Sequence, residues 1–100
     1  MVKHIVMWKV AESHNGMSKE ALIAEIKRRI EAMKGVVPQI QDLEVGVNFN
    51  RSGSAFDVVL YSTFADRNAL DEYQRDPGHA PVKEYVHAAT TETAVVDYEL

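Results

Sequence analysis

Leu43-Glu44-Val45-Gly46-Val47-Asn48-Phe49 alternates apolar residues with polar or small ones at every step. That two-residue period puts Leu43, Val45, Val47 and Phe49 on one face of a strand and leaves the other face wet. Turn-forming residues follow, Asn50-Arg51-Ser52-Gly53-Ser54, and then a second strand from Ala55 to Phe64. Phe56, Val58, Leu60 and Phe64 share one of its faces with Ser62, while Asp57, Val59, Tyr61 and Thr63 hold the other. Ile40 to Phe64 therefore reads as a β-hairpin, and what flanks it decides the fold.

Upstream, Val2 to Val10 reads as a strand. His4, Val6, Trp8 and Val10 lie on one side, and Lys3, Ile5, Met7 and Lys9 on the other. Both sides have apolar centres, so both are expected to be covered. Ala11 to Met17 is a polar loop containing His14-Asn15-Gly16. Ser18 then caps a helix expected to reach Lys34, with Leu22, Ile23, Ile26, Ile30 and Met33 as its buried stripe. Gly35 fits the position just past its end, and Pro38 prevents continuation. Lys27, Arg28 and Arg29 read as a solvated face rather than a binding patch.

Downstream, Asp66 caps a short helix to Arg75 with Leu70 and Tyr73 on one face. Pro77 ends it, Gly78 allows the turn, and Pro81 suits the first turn of another helix. Val82, Tyr85, Val86 and Ala89 carry that helix forward. Thr91 to Glu99 is the last strand, with Ala94, Val96 and Tyr98 alternating with Thr93, Val95 and Asp97.

The order is β-α-β-β-α-β with the second helical region broken in two. It predicts an α+β, ferredoxin-like domain over residues 1–100, a four-stranded antiparallel sheet with helices on one face. The other face would carry Ile5, Met7, Val59, Tyr61, Ala94, Val96 and Tyr98. So much contiguous apolar surface calls for a partner, and a second copy about a two-fold axis is the simplest. The expectation is a homodimer enclosing a shared core, a dimeric α/β barrel.

Composition narrows the function. The chain has 100 residues, a net charge of −4 and no cysteine. No basic face is interleaved with aromatics, so nucleic acid is a poor partner. Without thiols there is no disulfide and no thiolate metal site. No leader-like N-terminus or membrane-length apolar run appears, so a cytoplasmic location without membrane association is expected. No cofactor or metal is expected; His4, His79 and Asp97 form a two-His-one-carboxylate set, but no close-spaced ligand motif supports it.

The chemistry-bearing stretch is Asp76-Pro77-Gly78-His79-Ala80-Pro81-Val82. His79 falls at a helix N-terminus, where the helix dipole disfavours the imidazolium. A neutral ring there can act as base or acceptor. Asp97 falls on the helix side of the last strand and needs a partner if buried. His79 is one candidate, forming a dyad; the alternative is a strand-end acid in water. Tyr73 either donates to a developing oxyanion or packs as core. His4 is either a pocket imidazole or a half-buried ring bonded to a neighbour. His14 and His87 read as surface residues.

The chain resembles the stress-responsive dimeric α/β-barrel family along nearly its whole length. The resemblance is carried by Val2-Lys3-His4-Ile5-Val6, Leu43-Glu44-Val45-Gly46, Phe56-Asp57-Val58-Val59-Leu60, Tyr73-Gln74-Arg75-Asp76-Pro77-Gly78-His79 and Val96-Asp97-Tyr98. It implies a small dimer. One plant member of the family cyclises a polyketide by aldol condensation. Its catalytic tyrosine and histidine correspond to Tyr73 and His79, and its supporting aspartate to Asp97. That enzyme also has a histidine in the third strand, where this chain has Asp57 and Val58.

The combined expectation is one small-molecule pocket per subunit, between sheet and helices. Its walls would be His4, Val6, Trp8, Leu22, Ile26, Phe49, Val58, Leu60, Tyr73, His79 and Tyr85, and its ligand mostly apolar with a carbonyl or phenol. The chain then either binds without catalysis or is a cofactor-free lyase, cyclase or isomerase. In the enzyme reading His79 is the base oriented by Asp97, and Tyr73 steadies an enolate. A structural dimer with no ligand is a third reading.

Overall fold

The computed structural model describes residues 1–100. Strand β1 (Val2–Val10) leads to helix α1 (Lys19–Glu31), then β2 (Asp42–Val47) and β3 (Val58–Phe64). Helices α2 (Arg67–Arg75) and α3 (Ala80–Ala89) follow, and β4 (Thr90–Glu99) closes the chain. The four strands form one antiparallel sheet in the order β2-β3-β1-β4. This is the expected α+β, ferredoxin-like arrangement.

The register explains the burial. Along β1, Val2, His4, Val6, Trp8 and Val10 are buried and the residues between them are half-buried. Val6 pairs with Leu60 on one side and Val95 on the other, so all three point to the helices. Against them α1 sets Leu22, Ile26 and Ile30, at most 1% exposed. Ser18 accepts from the Ala21 N–H and Asp66 from the Ala69 N–H, so both predicted caps form.

Several boundaries move. Helix α1 stops at Glu31 rather than Lys34, because the Met33 and Lys34 N–H groups bond three residues back, to Ile30 and Glu31. Gly35 then turns the chain at a φ of +85°. The loop after β1 holds a two-residue ladder, Ser13–His14 with Met17–Ser18. Asn15 and Gly16 make its turn, both with positive φ, as a type I′ hairpin requires. β2 ends at Val47, so Phe49 lies outside the sheet and is 93% exposed.

Arg28 and Arg29 are held by their own helix. Both grip Glu25, at 2.5 and 2.8 Å, and hold its carboxyl down at about 2.

The sheet's outer face has no covering layer within the chain. The shortest principal extent is 17 Å, room for one sheet and one helical layer. Ile5 stands between Tyr61 and Val96, and Met7 between Val59 and Ala94. Val96 and Tyr98 are 54% and 41% exposed. Lys3 reaches over Tyr61, with Nζ 5.2 Å from the ring centre.

Candidate functional site

The Asp76–Pro81 junction positions the site. Asp76 Oδ1 accepts from the Gly78 N–H at 2.8 Å, and the Asp76 carbonyl accepts from the His79 N–H at 3.0 Å. A Cβ on Gly78 would lie 3.0 Å from Asp76 Oδ1 and 3.1 Å from a Val37 methyl, so glycine is what lets the turn close. The His79 carbonyl then accepts from the Lys83 N–H and starts α3, with Pro81 in its first turn. His79 is thus carried on two tied ends.

His79 is 8% exposed. It stacks on Tyr73, with ring centres 4.2 Å apart and planes at 28°. Tyr73 in turn packs on Phe64 at 5.0 Å and meets His4 edge-on at 6.1 Å. Burial lowers the His79 pKa, and the Lys83 and His4 charges push the same way; the Gln74 carbonyl opposes them. The ring is therefore neutral near pH 7. Its Nδ1 is buried with no hydrogen-bond partner. Burial also drives the Tyr73 hydroxyl well above the usual phenol range, with no hydrogen bond to offset it.

Asp97 does not pair with His79. It stands directly across the ladder from His4 and accepts from His4 Nδ1. On the other side Ser62 also faces His4, and its hydroxyl donates to the His4 carbonyl at 2.8 Å. Cross-strand register alone makes the pair, since residues opposite one another on the same face are nearest neighbours. The expected dyad is thus replaced by a His4–Asp97 pair and a separate His79. His4 is bonded to a neighbour, and it also lines a cavity.

That cavity measures about 760 Å³ and lies between α3 and strands β1 and β4. His4, Val6, Trp8, Leu60, Tyr73, His79 and Asp97 line it, seven residues for which the sequence predicted a site. Leu22, Ile26 and Val58 do not, being sealed in the core beneath α1. Phe49 is remote from it because the strand ends before it. Tyr85 turns to α1, where Arg29 lies 3.8 Å over its ring and Met17 meets its hydroxyl.

The sequence reading missed Ile30, Met33, Gln74, Val86, Thr93 and Val95 on the walls, and Lys83 and Glu84 on α3. Lys83 follows His79 by four residues and Val86 by seven, a helical-face signal that was available. His87, read as surface, is exposed and also borders the cavity. No three His, Asp or Glu side chains cluster closely enough to hold a metal ion. No helix is long and apolar enough to cross a membrane.

Among solved structures, a dimeric protein of ferredoxin-like fold from Bacteroides fragilis is 30% identical, with a TM-score of 0.84 over 99% of this chain and 95% of that one. A protein from Arabidopsis thaliana is 20% identical, with a TM-score of 0.82 over 100% and 95% of the two chains. A hydroxynitrile lyase from Passiflora edulis is 17% identical, with a TM-score of 0.80 over 97% and 90%. At these identities the last two share the fold and say nothing about chemistry here. No curated protein matches in sequence. A model of the stress responsive A/B barrel domain, Dabb, matches residues 2–100, and the chain belongs to that family.

Proposed function

We propose that this chain is a single-domain homodimer whose subunits each bind a small, mostly apolar compound in the cavity beside His79. The observation that carries the binding reading is the His79 ring itself, buried at a cavity wall with Nδ1 unpartnered. An unsatisfied buried polar atom costs about 1–3 kcal/mol. A ligand group that hydrogen-bonds to that nitrogen removes the cost. Val6, Trp8, Leu60 and Val86 supply the apolar walls, which suits a compound with one carbonyl or phenol. Thermal melting with a panel of such compounds tests this. A rise in Tm for the wild type and none for His79→Ala is expected; no rise with any compound removes the reading.

The dimer reading rests on the outer sheet face, where Ile5, Met7, Val59, Tyr61, Val96 and Tyr98 adjoin without cover. The Bacteroides fragilis relative is itself dimeric. Tyr61→Asp places a charge at the middle of that face and is expected to give monomers or an unfolded chain in sedimentation. An unaltered dimer would assign the contact elsewhere.

A second reading is cofactor-free proton abstraction. The neutral His79 is a competent base, and the Tyr73 hydroxyl, which keeps its proton, can donate a hydrogen bond to the forming enolate. Asp97, held by His4, has no direct part in that step. Turnover lost in His79→Ala, with Tm unchanged, is the expected signature.

A further inference from the structure

We infer that Lys83 is an anion seat at the mouth of this cavity, so that the ligand class is an amphipathic monoanion, a carboxylate or phenolate on an apolar body. This rests on the cavity reading above and specifies what enters it.

The lysines divide cleanly. Lys9 pairs with Glu92, Lys19 with Asp57, Lys27 with Glu31 and Lys34 with Asp42. Lys3 donates to Thr63. Lys83 is the one lysine with neither an ion pair nor a side-chain hydrogen bond, and it is the one lysine that lines the cavity. It follows His79 by one helical turn, so the two side chains lie over the same face of α3. Its charge is felt at the imidazole, where it opposes protonation. Asp97, the carboxylate that lines the cavity from β4, is already committed to His4. Glu84 also borders the cavity, but one residue on from Lys83 it projects about a quarter-turn away.

The arrangement has a preferred guest. A neutral imidazole with an unpartnered nitrogen and a free ammonium one turn further along offer two polar contacts side by side. A carboxylate or phenolate can accept from the Lys83 ammonium while its carbon body lies against Val6, Trp8 and Val86. A neutral alcohol of the same length gains the apolar contact and only an ordinary hydrogen bond.

Octanoate and 1-octanol separate these terms when titrated calorimetrically into wild-type protein and Lys83→Met. In the wild type, octanoate is expected to bind about tenfold tighter than 1-octanol, the difference between a charged and a neutral hydrogen bond. Lys83→Met is expected to weaken octanoate by about that factor and to leave 1-octanol within about twofold, with Lys83→Arg restoring the preference. Equal affinities in the wild type, or equal weakening of both probes in Lys83→Met, overturns the anion seat and leaves the cavity reading intact. Binding of neither probe overturns both.

Discussion

Helices α1 and α3 lie on the same face of one sheet, yet only α1 fills the space beneath it. Under α1 the branched side chains Leu22, Ile26 and Ile30 meet Leu43, Val45 and Val58, and nothing there is more than 6% exposed. Under α3 the buried residues are short, Val86 and Ala89, and the helix starts where Pro77 and Gly78 place it. Close packing is the normal state of a protein interior. The half that departs from it holds every polar side chain of the candidate site. Close packing and open space are thus divided between two helices that share a sheet.

The sharpest test of this division is a pair of truncations. Ile26→Ala is expected to cost about 2–5 kcal/mol in urea unfolding, the range for a sealed core position. Val86→Ala, bordering space that is already open, is expected to cost about 1–2 kcal/mol. Equal losses would mean that the two halves are packed alike.

The second test contrasts the two imidazoles. His4 is satisfied and His79 is not. Asp97→Ala strands His4 Nδ1 and is expected to cost about 1–3 kcal/mol. A negligible loss would show water replacing the carboxylate and erase the contrast.

The smallest effect is in pH. Burial makes His79 harder to protonate than in the unfolded chain, where its ordinary value is near 6.5. The unfolded chain therefore binds more protons as pH falls through that value, and folding stability declines until the folded ring also protonates. This one group contributes at most about 1.4 kcal/mol per pH unit. His79→Asn is expected to flatten the decline between pH 7 and 5 in denaturant titrations. A slope identical to that of the wild type would place the ring in water.

The fold was legible because period and punctuation agreed. The alternation of Leu43 to Val47, the caps Ser18 and Asp66, and the break at Pro77 each specify local structure without help from distant residues. The site was legible only in part. Alternation put His4 and Asp97 on the helix side correctly, but it carries no register, so it could not say that they stand opposite each other. Phe49 continued a period that the sheet itself did not, since a pattern of side chains does not reveal where pairing stops. Asn15-Gly16 is a hairpin signal, but the ladder it closes is only two residues long and carries no alternation to mark it as strand. Lys83 looked like any exposed helix residue, because an unpaired charge is defined by what its neighbours in space are doing.

His4 and Asp97 are separated by 93 positions and lie on the first and last strands. Contacts so distant along the chain are slow to form, since a long loop must close before they return anything. The β2–β3 hairpin and α1 can organise early from near neighbours, whereas the cavity wall waits for the two ends to meet. In a refolding experiment, burial of Trp8 would then mark the moment at which the cavity wall is complete.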